Sequence, residues 1–192
     1  MNAAGPARLT EANLREFLRR ELQSRLPRKL ALGGTTAAAV LVLLFEREGE
    51  TYVWLVRRPT SMRSHAGQVA FPGGKNDASD DSLLITALRE TEEELGILRS
   101  SVDVLGALDD IRTVTGFTIA PWVGWLVDGT AVRPNPAEVA RAFAAPLRSF
   151  LGPRRGDPRW RGWSVDGEFV WGATAAIVAD LIRLVRERLP AQ

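Results

Sequence analysis

From Asp80 to Gly96 the chain carries two faces that a helix would separate. At helical spacing Leu84, Ile85, Leu88 and Leu95 gather on one side and face a core. Glu90, Glu93 and Glu94, at i, i+3 and i+4, share the opposite side. Gly96 supplies a left-handed stop, so the spacing predicts a helix from about Asp80 to Leu95. A helix chosen for stability alone would avoid this pattern. Like charges so spaced repel by roughly 0.2–0.5 kcal/mol per pair, and these stand in the last turns, where the helix dipole favours cations. Taken alone, the run also describes a solvated acidic face. The preceding loop separates the two readings: Gly73-Gly74 allows close backbone approach of a ligand, and Asp77, Asp80 and Asp81 add carboxylate oxygen. So many oxygen anions are best relieved by a hard cation such as Mg2+, which takes carboxylate, carbonyl and water ligands alongside substrate phosphates.

The rest of the chain supplies a mixed scaffold. Thr10 can cap a helix to about Arg25, with Leu14, Leu18 and Leu22 at helical spacing and Pro27 ending it. Ala37–Phe45 reads as a buried strand, Arg47–Glu50 as a turn and Tyr52–Arg57 as the returning strand. Gln68–Phe71 is a short strand broken by Pro72-Gly73-Gly74. Val102–Leu108 and Phe117–Val127 read as further strands, and a short helix is expected after Pro146. Trp163–Val165 and Glu168–Val170 form a hairpin around Asp166-Gly167, followed by a helix from about Ala173 to Leu189. Strands and helices mix without strict alternation, which indicates an α+β class with a mixed sheet.

At 192 residues the chain fits one domain. It has no cysteine, which removes disulfides and thiolate metal sites, and its sole histidine, His65, removes any centre needing two imidazoles. The net charge is only +2, and the absence of basic-aromatic interleaving argues against a nucleic-acid partner. The apolar segment Ala31–Phe45 is too short to span a bilayer comfortably. The charged stretch Arg8–Arg28 holds no apolar core next to a cleavage site. A cytoplasmic enzyme without a membrane partner is expected.

The segment Gly74…Asp80…Arg89-Glu90-Thr91-Glu92-Glu93-Glu94-Leu95-Gly96-Ile97 resembles the Nudix box: Gly, five residues, Glu, seven residues, Arg-Glu-U-x-Glu-Glu-x-Gly-U, with U aliphatic. Asp80 replaces the usual Glu, the gap from Gly74 to Arg89 is one residue longer, and Thr91 replaces an aliphatic. Upstream, Trp54 to Gly74 resembles the signature of the coenzyme A pyrophosphatase branch, with Arg58, Arg63, Gly67 and Phe71-Pro72-Gly73-Gly74 in register. Trp54, Val56 and Pro59 depart from it. Asn135–Val139 and Trp171–Thr174 are also similar to that branch.

This resemblance implies a Nudix-type mixed β-sheet sandwiched between helices. It would comprise a helical extension over 1–30, a core over 35–150 and a hairpin with helix over 160–192. It implies Mg2+ or Mn2+ held by Glu90, Glu93, Glu94 and the Gly74 carbonyl. The catalytic set would be Glu93, Glu138 and Arg89, with Glu93 or Glu138 as base and Arg89 as a brace. Arg58, Arg63, His65, Gly73 and Gly74 would meet the substrate, because arginine forks match phosphate geometry; Arg57 stands outside the signature. The implied reaction splits coenzyme A or a derivative into 3′,5′-ADP and 4′-phosphopantetheine, in a monomer or homodimer. ADP-ribose or a dinucleotide coenzyme is the alternative substrate. A non-catalytic Nudix-fold binding module is disfavoured, since the box carboxylates are retained.

Overall fold

The computed structural model describes residues 11–60, 67–127, 130–157 and 160–186. Its first helix, α1 (Glu11–Ser24), buries Leu14, Phe17, Leu18 and Leu22, while the expected cap Thr10 lies outside the described residues. β1 (Thr36–Arg47) and β2 (Glu50–Arg57) form the expected hairpin. Its turn residues Glu48 and Gly49 have φ of 54° and 77°, the twist that suits a two-residue connection.

Short strands β3 (Val69–Ala70) and β4 (Gly73–Lys75) precede α2 (Leu83–Leu95); β5 (Val102–Ala107), β6 (Ile111–Arg112), β7 (Phe117–Leu126) and β8 (Arg141–Pro146) follow it. A turn of 3-10 helix then covers Leu147–Phe150, where a short helix was expected. The chain continues through the hairpin β9 (Trp163–Val165) and β10 (Glu168–Val170) to α3 (Gly172–Val185). The expected end of α3 at Leu189 lies outside the described residues.

Eight strands make one mixed sheet, with the path β3-β2-β1-β7-β5; β4 pairs with β1, β6 with β7 and β8 with β2. β1 and β7 run parallel from Thr36–Phe117 to Leu44–Trp125. The alternation of β1 divides the core. Val42 and Leu44 join Leu18 of α1 and Val178 of α3, whereas Ala39, Leu41 and Leu43 join Ala87, Leu88 and Leu95 of α2. The sheet is therefore sandwiched between helices, as expected. Among the described residues no helix is long and apolar enough to cross a membrane.

Two local expectations need correction, and one strand had none. Gly73 and Gly74 do not simply break a strand: Gly73–Lys75 pairs antiparallel with Val40–Ala38. The helix starts at Leu83, not Asp80, because Ser82 caps it, its side chain accepting from the Ile85 N–H at 3.3 Å. β8, with four apolar residues of which three are alanines, read as nothing in particular, yet it pairs with β2 from Tyr52 to Arg57.

Candidate active site

α2 carries its carboxylates at three depths. Glu93 is exposed and Glu90 half-buried, but Glu94 is only 4% exposed. The expectation of one shared acidic face therefore fails for Glu94, which turns inward and accepts the Gly73 N–H at 3.1 Å. Burial pushes the Glu94 carboxyl up to about 8; the Gly73 N–H and the positive charge of Arg58 oppose this, while Glu90 and Glu138 add to it. Burial likewise raises Glu90, against the hydrogen bond and charge of Arg89. Thr91, the departure from an aliphatic residue, is fully buried and donates its hydroxyl to the Ala87 carbonyl at 2.7 Å. The polar atom is thus satisfied within the helix.

The adjoining strand β4 fits against these carboxylates. A Cβ on Gly74 would fall 2.4 Å from Glu90 Oε1, so glycine is what lets that carboxylate lie on the strand. Gly73, at φ 151°, has no such room either: a Cβ would stand 2.3 Å from the Ala39 carbonyl oxygen.

Arg89 organises the same corner. Its Nη1 donates to Glu90 Oε1 at 3.0 Å and to Glu93 Oε2 at 2.9 Å, and its Nη2 donates to the Lys75 carbonyl at 3.3 Å. Asp80 receives the rest of the fork and is further held by Thr86 Oγ1 at 2.8 Å and the Asp77 N–H at 3.1 Å. Asn76 Nδ2 donates to Thr86 Oγ1 at 3.0 Å, completing a loop-to-helix network.

Two further segments reach this corner. Arg58, at the end of β2, is half-buried; its charge acts on Glu94, and its Nε is buried without a hydrogen-bond partner among the described residues. The segment after β7 is pinned to the end of α2: the Arg133 N–H donates to Leu95 O at 2.8 Å and the Asn135 N–H to Glu94 O at 2.9 Å. Asn135 Nδ2 also donates to Glu138 Oε1 at 3.2 Å, and the charge of Glu138 acts on both Glu90 and Glu94. Arg57 points elsewhere, to Glu168 at 3.5 Å. Arg63 and His65 lie outside the described residues.

Sequence reasoning gave Asn135 no role, although its amide holds Glu138. The local signals were the Asn-Pro pair marking a turn and the likeness of Asn135–Val139 to the branch.

The corner offers hard oxygen donors and excess negative charge, the chemistry that suits Mg2+ or Mn2+. Among the described residues, no three acidic or imidazole side chains already form a cage, since Glu94 turns to Gly73 while Glu90 and Glu93 turn to Arg89. The donor set fits a cation on two counts. A carboxyl raised chiefly by burial, with Glu90 and Glu138 adding to it, gains a counter-charge, and the missing Gly74 Cβ lets the Glu90 oxygens lie on the strand.

Comparison with known proteins agrees with this geometry. The NUDIX domain pattern matches residues 35–166. The uncharacterized Nudix hydrolase NudL of Photorhabdus laumondii is 38% identical over 185 residues, covering 91% of this chain and 98% of that protein. NudL of Yersinia enterocolitica is 40% identical over 184 residues, covering 90% and 93%. Among solved structures, the NUDIX domain of Shewanella oneidensis NrtR, complexed with ADP ribose, superposes with a TM-score of 0.55 at 22% identity, over 95% of this chain and 100% of that one. That last likeness is one of fold. With the acidic helix, its two-glycine strand and the long match to the NudL proteins in agreement, the chain belongs to the Nudix hydrolase family.

Proposed function

We propose that this Nudix hydrolase splits the pyrophosphate of coenzyme A or a derivative of it, giving 3′,5′-ADP and 4′-phosphopantetheine. The observation that carries the reading is the convergence on Glu94 of two parts of the upstream signature. Arg58 arrives from β2, with a buried N–H still lacking an acceptor, and Gly73 arrives from β4. A buried guanidinium donor without a partner is an unusual feature that needs an acceptor, and a substrate phosphate beside the carboxylates supplies one.

Glu90, Glu93 and Glu94, with the Gly74 carbonyl, would hold Mg2+ or Mn2+. When bound, the cation lowers the repulsion between phosphate oxygens and an incoming nucleophile and stabilises charge on the leaving phosphate. Arg89 spaces Glu90 and Glu93. Glu138 takes the proton from the attacking water, using the oxygen that Asn135 leaves free; Glu93 is the other carboxylate able to do so. Arg58, together with Arg63 and His65, would engage the phosphates, including the 3′-phosphate. Residues 35–150 would be the catalytic core, with α1 and the C-terminal hairpin and helix packed on it.

The test is direct. Coenzyme A, dephospho-coenzyme A, ADP-ribose and NADH are each incubated with Mg2+ or Mn2+, and products are identified. Coenzyme A should give the highest kcat/KM. Dephospho-coenzyme A should fall about ten- to hundred-fold below it, the loss of one charged hydrogen bond. Equal values for those two would remove the 3′-phosphate contact, and faster cleavage of ADP-ribose or NADH would overturn the substrate assignment.

A further inference from the structure

Away from the acidic helix, the last two turns of α3 border an open cleft of about 500 Å3. Thr174, near the start of α3, donates to the Val69 carbonyl at 2.9 Å. From there the helix runs roughly 18 Å to Arg186 at the far end of the cleft. None of the residues converging on Glu94 lines it. Its size lies in the range of small-molecule sites.

The lining is of two kinds. Phe150, Trp163 and Ile182 form an apolar floor, each at most 7% exposed. Trp163 is fixed in place, since its Nε1 donates to the Gly152 carbonyl at 2.9 Å and its ring meets Phe150 edge-on at 5.5 Å. Around this floor stand Arg154, Arg183 and Arg186. The Arg154 guanidinium lies 5.8 Å from the centre of the Trp163 ring. Arg183 is paired with Asp180, which Arg25 also approaches at 3.9 Å. Among the described residues no carboxylate pairs with Arg154 or Arg186.

The helix end accounts for only part of this charge. A helix C-terminus carries about half a negative charge, and Asp180 contributes one more. Three guanidiniums exceed both, so among the described residues the rim keeps a net positive field over an apolar floor. A bare anion would leave the floor unused, and a neutral apolar molecule would leave the arginines unused. We propose that this cleft is a second binding site, separate from the carboxylate corner, for a phosphate monoester with an apolar or planar body. The phosphate would engage Arg183 and Arg186, whose forks match its geometry, while the body rests on the floor beside Arg154.

Gly152 gives an independent handle. No atom lies within 4 Å of a Cβ built there, and its backbone is outside the left-handed region, so Gly152→Leu fills the cleft without strain and leaves every arginine in place. Naphthyl phosphate is titrated calorimetrically into the full-length protein without divalent cation, with inorganic phosphate as competitor. Circular dichroism confirms that each variant is folded. Wild type should show one saturable site, and both Gly152→Leu and the double variant Arg183→Ala, Arg186→Ala should weaken it about ten-fold or more. Inorganic phosphate should compete poorly. Absence of saturable binding, indifference to Gly152→Leu, or equal competition by inorganic phosphate would each overturn the proposal.

Discussion

Asp80 and Arg89 are joined in parallel, with Nε donating to Oδ1 at 3.0 Å and Nη2 to Oδ2 at 3.0 Å. The fork's remaining nitrogen, Nη1, reaches Glu90 and Glu93. Asp80, whose side chain is 3% exposed, thereby sets the orientation of two carboxylates it does not touch. Arg89 holds the Asp80 carboxyl well below the usual carboxylate range. Asp80→Asn keeps the size but removes the charge. It should cost about 1.5–3 kcal/mol of stability, the value of a hydrogen bond to a charged group. It should also weaken metal affinity or turnover about 10–100-fold, as supporting-residue changes do. Denaturant unfolding and the Mg2+ dependence of the rate measure the two effects. A stability loss with wild-type Mg2+ dependence would show that the pair serves folding alone.

The two glycines of β4 should fail differently. Gly73→Ala sets a Cβ against the Ala39 and Val40 backbone, which cannot yield, and should destabilise by about 3 kcal/mol or more. For Gly74→Ala the three nearest atoms all belong to the end of the Glu90 side chain, which can swing away. That variant should fold near-normally and lose activity. Thermal melts beside kcat measurements separate them, and a Gly74→Ala enzyme with full activity would show that Glu90 need not lie on the strand.

Glu94→Gln should remove turnover by orders of magnitude while leaving the fold intact. Without divalent cation, at a pH above about 8 where the wild-type carboxyl is ionised, the variant should unfold no more readily than wild type, because a buried group crowded by Glu90 and Glu138 has lost its charge. Activity within a few-fold of wild type would exclude Glu94 from the metal set.

Glu138→Gln should lower kcat, keep metal affinity and abolish the low-pH limb of the rate profile. Loss of metal binding would make Glu138 a ligand. An unchanged profile would return the base role to Glu93. Hydrolysis in 18O-water would then identify the phosphorus attacked, from the product that carries the label.

Asp103 ties α1 to the sheet by accepting from both Arg15 and Arg19; the Arg15 Nε contact is 2.8 Å. Burial works against its charge, but the hydrogen bonds from Arg19 and Arg15 prevail and hold it below its ordinary 3.8. A depressed folded value means the contribution is present above the unfolded value and fades as pH falls through the folded one. Asp103→Asn should therefore cost about 1 kcal/mol at neutral pH, a modest figure because the arginines are partly exposed. The gap to wild type should close below about pH 4. Urea unfolding at several pH values checks this; a constant gap would place the contribution outside ionisation.

What the sequence disclosed, and what it hid, follows from distance along the chain. The period of Leu88 and Leu95 and the two-glycine loop are local patterns, and they led directly to α2 and its carboxylates. The burial of Glu94 was not legible, because it depends on the N–H of Gly73, a strand away. β8 was hidden for a related reason: alanine has little strand preference, and pairing with β2 imposes its extended state. The signature set Arg58 apart from Arg57 but did not show where either goes: Arg57, the last residue of β2, meets Glu168, while Arg58, just beyond it, acts on Glu94.

The parallel pairing of β1 with β7 bears on the order in which the molecule assembles. Thr36 meets Phe117 and Leu44 meets Trp125, so forming this ladder closes a loop of roughly 80 residues, an entropic step that precedes its reward. β4 and α2, which bring Gly73, Gly74 and all three helix carboxylates, lie inside that loop. During synthesis, therefore, the ribosome must deliver β7 before the sheet under α2 is complete, and a nascent chain stopped before Phe117 carries every box residue and the β1 and β4 strands beneath them, but lacks the parallel partner that runs along β1.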